Sequence, residues 1–225
     1  TPLTQTICNN TSTDIELLTT VPGTKFTWTF DDGGGVTWTA GKAPLGGTIT
    51  DGAGVEKITQ LLEHTSTSPV TVTYSITPAG PGSTACPGLS VDRTVIVEPT
   101  PKASISNSTQ TLCNGGALTA MDVTNAATHF AGTATFDMVI VATTGNKANL
   151  TAGGGGNALT EVTGQSYPYS ITGTLTNSTS SAIIIEYRVT PKHSTCSAGT
   201  QVVATVRVEP TPKASISNST QTLCN

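Results

Sequence analysis

The sequence predicts an all-β protein made of tandem β-sandwich modules, and three observations support this fold class. Threonine occupies 46 of the 225 positions, and Thr and Val favour strands. Charged residues make up only 11 % of the chain, so the helix-favouring Glu, Lys and Arg are scarce. Short alternating runs are separated by turns rich in Gly, Pro and Asp, as in a sandwich. Because aromatic residues are only 4 % of the chain, we expect cores of Val, Ile, Leu and Thr methyl groups.

An internal repeat sets the domain organisation. The segment VEPTPKASISNSTQTLCN occurs at residues 97–114 and again at residues 208–225, and VTYSITP at 72–78 matches IEYRVTP at 185–191. A spacing of about 105–111 residues far exceeds that of solenoid repeats, which are roughly 20–45 residues long. We therefore predict whole domains in tandem: one module at residues 1–99, a second at 100–210, and the linker and first strand of a truncated third at 211–225.

Each module is predicted to contain about seven strands, which suits an immunoglobulin-like sandwich. After an opening strand that carries the first cysteine, residues 25–30 (KFTWTF) alternate and place three aromatic side chains on one face. Residues 56–64 (EKITQLLEH) have a spacing that also suits a short helix, but the matching YSITGTLTN has a strand pattern, so we predict a strand. The other predicted strands are residues 14–20, 36–40, 70–76 and 93–99, with a Gly-rich loop running to Gly54.

Two cysteines occupy matching positions in each module. The repeat favours pairing within each module, Cys8 with Cys86 and Cys113 with Cys196. Closing a loop of about 80 residues removes roughly 4–5 kcal/mol of unfolded-state entropy in the loop-closure model. The alternative is four reduced, buried thiols in a cytosolic protein. Cys224 belongs to the truncated third module and is expected to be unpaired.

The most faithfully repeated element is a proline-containing linker. Its prolines are Pro99 and Pro101 at the first boundary and Pro210 and Pro212 at the second. Proline fixes φ and disfavours helix at its neighbours, so this joint is predicted to be short and semi-rigid. The module interiors have diverged more than the joint, which favours a geometric constraint, although recent duplication explains the identity as well.

No catalytic residue, metal site or cofactor is predicted. The acidic turns at residues 31–35 and 50–54 offer one or two carboxylates each and are not repeated, so Asp-Gly turn chemistry is favoured over calcium. The glycines at 153–156 lack the Lys-Ser/Thr of a phosphate loop. The histidines have no metal-ligand spacing and are interpreted as solvated loop or strand-face residues; they are His64, His129 and His193.

Charge and hydropathy exclude two classes of partner. The net charge is −4 and the ten basic residues form no patch, which argues against nucleic acid. No apolar run approaches about 18 residues, so we expect no membrane insertion in this segment. The first residue is Thr and no signal peptide is present, so we expect an internal part of a longer chain.

The combination of motifs resembles the PKD-like (Ig-like) repeats of giant cell-surface adhesins of gliding Bacteroidota, which the type IX secretion system exports. The motifs are the opening ICN or LCN, GTKFTWTF, ITQLLEHT, VTVTYSITP and the closing VIVEPTP, and the resemblance covers residues 4–101 and 109–212. The second module departs where Met138 replaces Trp28. The resemblance implies an Ig-like sandwich, an extracellular location at the cell surface, and a spacer or adhesive role without catalysis.

These features predict a structural repeat segment of a surface adhesin or filament, acting as a semi-rigid spacer in adhesion or gliding motility. The alternative is a carbohydrate- or surface-binding module of a secreted multidomain protein, with Trp38 as the exposed platform and Trp28 buried. A third interpretation is an accessory domain of a secreted enzyme. The expected partners are neighbouring repeats of the same chain, surface glycans and other filament subunits.

Overall fold

The computed structural model describes residues 4–33, 35–36, 46–52, 55–82, 86–129 and 131–217, and it shows the all-β sandwich architecture that the sequence predicts. The strands of the first repeat are β1 (Thr4–Cys8), β2 (Thr11–Ser12), β3 (Ile15–Leu17), β4 (Lys25–Asp31), β5 (Gly46–Thr50), β6 (Glu56–Ile58), β7 (Leu61–Leu62), β8 (Val70–Ala79) and β9 (Val91–Glu98).

The second repeat contains equivalent strands, an additional strand from the joint and a single-turn 3₁₀ helix at Lys147–Asn149. Its strands are β10 (Ala103–Ile105), β11 (Thr109–Leu112), β12 (Gly116–Ala117), β13 (Met121–Asn125), β14 (Ala134–Thr144), β15 (Leu150–Gly153), β16 (Val162–Ser166), β17 (Tyr169–Ile171), β18 (Thr174–Asn177), β19 (Ile183–His193) and β20 (Val202–Val208).

A five-stranded sheet dominates each repeat. In the first repeat its order is β1-β9-β8-β4-β5, and two short pairs, β2-β7 and β3-β6, complete the described sheets. In the second repeat the order is β11-β20-β19-β14-β16, with two three-stranded sheets, β10-β13-β17 and β12-β18-β15. The first strand of the first repeat, β1, pairs in parallel with the repeat's last strand, β9, and Cys8 lies opposite Glu98. In the same way, β11 pairs in parallel with β20, and Leu112 lies opposite Val208. This parallel pairing brings the first cysteine of each repeat to the end of the repeat's last strand.

The predicted strand patterns are largely confirmed. In β4, Phe26, Trp28 and Phe30 alternate with exposed residues and are buried. The segment at 56–64 forms strands rather than a helix, as β6 and β7. Most of the predicted strand at residues 36–40 lies outside the described residues.

Strand β5 was not predicted, because its glycines suggested a loop. It pairs with β4, and Gly47 lies opposite Trp28. A Cβ atom on Gly46 would lie 2.6 Å from the carbonyl oxygen of Trp28, and one on Gly47 would lie 3.1 Å from the indole Nε1. Glycine is therefore required where this strand passes the large indole ring.

The cores are more aromatic than composition suggested. In the first repeat, Trp28 and Phe30 pack against the fully buried Tyr74, with ring centroids 5.9 and 5.0 Å apart. In the second repeat, Met138 is fully buried at the position of Trp28, and Phe136 and Tyr187 are also fully buried. The cores expected from Val, Ile, Leu and Thr methyl groups thus also contain aromatic side chains in both repeats, because the few aromatic residues are concentrated on inward-facing positions.

The chain forms two compact units. Unit 1 comprises Thr1–Ala103, Asn125–Thr135 and Pro191–Thr200, and unit 2 comprises Ser104–Thr124, Phe136–Thr190 and Gln201–Asn225. Unit 1 therefore contains two loops from the second repeat. The module boundaries expected after residues 99 and 210 stay predictions.

Candidate functional site: the disulfide and its surrounding loops

The most distinctive chemical feature of unit 1 is a disulfide bond between Cys8 and Cys196, whose Cα atoms lie 5.5 Å apart. The two residues are separated by 188 positions in the chain. Cys8 is the last residue of β1, and Cys196 lies in the loop between β19 and β20. The bond therefore joins a cysteine of the first repeat to a cysteine of the second.

This bond overturns the predicted pairings Cys8–Cys86 and Cys113–Cys196, since Cys86 and Cys113 are free and exposed. The reason is geometric. Cys86 precedes the start of β9, whereas Cys8 lies opposite Glu98 at its end. Eight strand residues span roughly 25 Å, but a disulfide requires Cα atoms within about 7 Å.

The same geometry separates Cys113 and Cys196, which lie at opposite ends of β20. Matching positions in a repeat are equally compatible with a bond that links one repeat to the next. Cys224, predicted to be unpaired, lies outside the described residues.

A polar network around Asn9 positions Cys8. The Asn9 side-chain amide donates to the carbonyl oxygen of His64 at 3.0 Å and to the hydroxyl of Thr100 at 2.9 Å. Its oxygen accepts the backbone N–H of His64 at 2.8 Å. The imidazole Nε2 of His64 lies 3.2 Å from the carbonyl oxygen of Val97. These bonds fix the residue after Cys8 to the last strand and to the joint.

The loop that carries Cys196 packs closely on the joint. The backbone N–H of Gly199 donates to the carbonyl oxygen of Pro191 at 2.9 Å. A Cβ atom on Gly199 would lie only 1.7 Å from the carbonyl oxygen of Pro101. Pro99 and Pro101 are both buried. The predicted linker prolines of the first boundary thus form the surface on which the Cys196 loop packs.

A second group of polar residues lies in the same unit and was missed from the sequence. The rings of His129 and His193 stack with centroids 4.2 Å apart. Glu98 is 1 % exposed and accepts the backbone N–H of Ala131 at 2.9 Å. Burial, followed by the proximity of His193, lowers the pKa of His129 below its ordinary value of 6.5.

The interpretation of the histidines as solvated is therefore wrong for His64 and His193, which are 3 % and 7 % exposed. Their sequence spacing could not reveal the burial, because the partners of each ring lie in distant segments. Within the described ranges, no group of three or more His, Cys, Asp or Glu residues is arranged to hold a metal ion.

The acidic and Gly-rich turns have local structural roles. Asp31 accepts the backbone N–H of Gly33 at 2.9 Å, as expected for an Asp-Gly turn. A Cβ atom on Gly156 would lie 2.2 Å from the carbonyl oxygen of Thr172, so this glycine allows close packing of the chain. Trp38, the candidate exposed platform, lies outside the described residues, whereas Trp28 is buried as expected. No helix in the described part of the chain has the length and apolar character needed to cross a membrane.

A known domain family matches the chain once in each repeat. The model of the PKD-like domain matches residues 5–101 and again residues 110–212. No curated protein matches the chain.

The chain is also similar to several solved structures. The D00-D0 domain of Intimin is 10 % identical over 90 % of this chain and 94 % of that one, with a TM-score of 0.38. The EC1-2 fragment of chicken VE-cadherin is 11 % identical over 94 % and 99 % of the two chains, with a TM-score of 0.35. The fibronectin(III)-like modules of Clostridium thermocellum CbhA are 12 % identical over 92 % and 88 %, with a TM-score of 0.29.

Proposed function

The chain belongs to the PKD-like domain family, and we propose that it is a structural segment of a long extracellular bacterial surface adhesin or filament. In this proposal it acts as a semi-rigid spacer in adhesion or gliding motility. PKD-like and Ig-like domains are typically non-catalytic binding or structural modules, which supports a mechanical role. The identical sequence of the two joints, with their repeated prolines, supports a function that depends on how one repeat follows another.

The Cys8–Cys196 disulfide is the observation that carries the proposal. A pulling force applied to the two ends of the chain would pass from Cys8 through the sulfur atoms to Cys196. The residues between them would then be shielded from extension, including both proline residues of the first joint. A spacer that must transmit load without lengthening benefits from such a bond.

The disulfide also supports the proposed location. Disulfides persist in oxidising compartments, including the bacterial periplasm and cell surface, and a bonded Cys8–Cys196 pair is compatible with an extracellular site. Export by the type IX secretion system of a gliding Bacteroidota cell is part of this proposal. The proposed partners are neighbouring repeats, surface glycans and other filament subunits.

Single-molecule pulling on the ends of the chain tests the mechanical role. The oxidised protein should unfold with a short gain in contour length. A Cys8→Ser, Cys196→Ser variant should release the 188 shielded positions, a further gain of roughly 600 Å at about 3.4 Å per residue. A Cys86→Ser, Cys113→Ser variant is the matched control and should behave as the parent does. Equal contour lengths in all three proteins would contradict the shielding.

A cell-based measurement connects this property to function. Cells that display the full protein should lose attachment under shear flow when Cys8 and Cys196 are replaced by serine. Attachment that survives this change but is lost on Trp38→Ala would overturn the spacer role in favour of the carbohydrate- or surface-binding module.

A further inference from the structure

The surroundings of the free Cys113 repeat those of the bonded Cys8. Asn114 donates its side-chain amide to the Thr211 hydroxyl, as Asn9 does to Thr100. Its oxygen accepts the backbone N–H of Asn177, as that of Asn9 accepts the N–H of His64. The scaffold that positions a cysteine at the end of the first strand is thus built twice.

An open groove of about 490 Å³ lies beside Cys113 in unit 2. We call it the Cys113 groove, and its lining residues are Cys113, Asn114, Glu209, Pro210, Thr211 and Pro212. The equivalent surface around Cys8 is lined by Cys8, Asn9, Pro99, Thr100 and Pro101, together with the Cys196 loop that packs on it.

Residues of the Cys113 groove are more exposed than the equivalent residues around Cys8. Pro101 is buried, whereas its equivalent Pro212 is exposed. Glu98 is 1 % exposed, whereas its equivalent Glu209 is half-buried and pairs with Arg207. Among the described residues, the groove therefore presents a preformed surface without the loop that covers its counterpart in unit 1.

The loop that carries the other free cysteine has the features of the Cys196 loop. We call residues 86–90 the Cys86 loop. The backbone N–H of Gly88 donates to the carbonyl oxygen of Pro78 at 2.7 Å, as that of Gly199 does to Pro191 at 2.9 Å. A Cβ atom on Gly88 would meet the ring of Pro78, as one on Gly199 would meet that of Pro191. Only Gly199 also meets a carbonyl oxygen of a joint.

The end of the first repeat that carries the Cys86 loop exposes apolar side chains. Leu89 is 90 % exposed and Leu18 is 69 % exposed. Leu18 and Val91 also line an open groove of about 550 Å³ together with Pro78. In the second repeat, the equivalent loops belong to compact unit 1, where Ala127 and His193 are buried. The exposed apolar surface is the one that a preceding repeat would cover.

We propose that Cys86 and Cys113 are the two halves of a second disulfide link, which forms between successive PKD-like repeats. The Cys86 loop of one repeat docks in the Cys113 groove of another, as the Cys196 loop packs around Cys8. The bond forms by thiol–disulfide exchange with a small-molecule disulfide: two thiols become one protein disulfide, and the reagent accepts the electrons and protons as two thiols. This inference rests on the proposed function, because both require repeats in tandem.

The test uses second copies of the chain as the neighbouring repeat, with Cys224→Ser in every protein. One variant carries Cys113→Ser and keeps Cys86, and the other carries Cys86→Ser and keeps Cys113. The two are mixed with oxidised glutathione, and dimers are separated by non-reducing electrophoresis. The Cys86–Cys113 heterodimer should form at least about tenfold faster than either homodimer, because docking raises the effective thiol concentration. Isotope labelling of one partner and peptide mapping identify the bond.

A matched variant tests whether the heterodimer forms through specific docking or through random encounter of the two thiols. Adding Gly88→Ala to the protein that keeps Cys86 should reduce heterodimer formation to the rate of the homodimers, since the corresponding Cβ at Gly199 overlaps a joint carbonyl. The reaction of Cys86 with a small maleimide should be unchanged. A statistical mixture of dimers from the parent pair would overturn the inference while leaving the shielding by Cys8–Cys196 intact. Loss of shielding with a persistent heterodimer preference would overturn the proposed function alone.

Discussion

Tyr74 and Tyr187 occupy equivalent positions in the two cores, and their hydroxyl groups donate to different acceptors. Both side chains are fully buried, so each hydroxyl must find a hydrogen-bond acceptor. The Tyr74 hydroxyl donates to the side chain of Gln60, and the Tyr187 hydroxyl donates to the carbonyl oxygen of Ala158 at 2.7 Å. Burial raises the pKa of both phenols, so they remain neutral donors at physiological pH.

Tyr187→Phe should destabilise unit 2. The change leaves the buried carbonyl of Ala158 without its donor, and an unsatisfied buried group costs about 1–3 kcal/mol. Chemical denaturation followed by circular dichroism measures the loss. Tyr169→Phe is the control, because its half-buried ring packs against Phe136 and should lose little. Equal effects of the two substitutions would show that the hydroxyl of Tyr187 is not important.

The histidine pair should make unit 1 sensitive to mild acid. The pKa of His129 is lowered in the folded protein by burial and by His193, so the unfolded chain binds more protons below its ordinary pKa of about 6.5. The stability is complete above that pH and is lost as the pH falls towards the folded pKa. The melting temperature of unit 1 should therefore fall between pH 7.5 and 5.5, and His129→Gln should flatten this dependence. A pH-independent parent protein would contradict the prediction.

At the scale of elements, periodicity predicted the strands that have one buried face. The alternation in β4 identified Phe26, Trp28 and Phe30 as core residues, and comparison of the repeats resolved the ambiguity at β6 and β7. Strand β5 escaped prediction because its glycines are selected by the neighbouring Trp28 rather than by strand propensity. Such a requirement exists only once the strands are paired.

The disulfide pairing could not be predicted from matching positions alone. A repeat allows a bond inside each copy or between successive copies, and only strand direction distinguishes them. The parallel alignment of β1 with β9 places Cys8 far from Cys86. Parallel pairing of a first and last strand depends on long-range topology, which local patterns do not contain. The buried Glu98 and the stacked His129 and His193 escaped prediction for the same reason, since distant segments surround them.

Gly199→Ala should weaken the loop that carries Cys196. The added Cβ would overlap the carbonyl oxygen of Pro101, and relieving this overlap costs about 1–3 kcal/mol. Gly88→Ala provides the control, because it makes the same change beside Pro78 with no joint carbonyl nearby. After refolding with oxidised glutathione, thiol titration should show more unbonded Cys196 in Gly199→Ala than in Gly88→Ala. Equal yields of the bond would contradict the proposed packing.

At the scale of the whole molecule, the disulfide lies entirely within unit 1. Cys8 and Cys196 both belong to this unit, together with the two loops Asn125–Thr135 and Pro191–Thr200. Hydrogen bonds also hold these loops: Thr128 donates its backbone N–H to the carbonyl of Thr67 at 2.7 Å. The loops are thus held by a covalent bond and by polar contacts.

Removal of the bond should lower the stability of unit 1 more than that of unit 2. Closing a loop across 188 positions removes roughly 5 kcal/mol of unfolded-state entropy in the loop-closure model. Calorimetry of a Cys8→Ser, Cys196→Ser protein should show the unit 1 transition at a lower temperature. The Cys86→Ser, Cys113→Ser protein loses the same number of sulfur atoms from exposed free thiols and should melt as the parent does. Because both cysteines and both loops lie in unit 1, an equal shift of the two transitions would show that the bond stabilises the chain in another way.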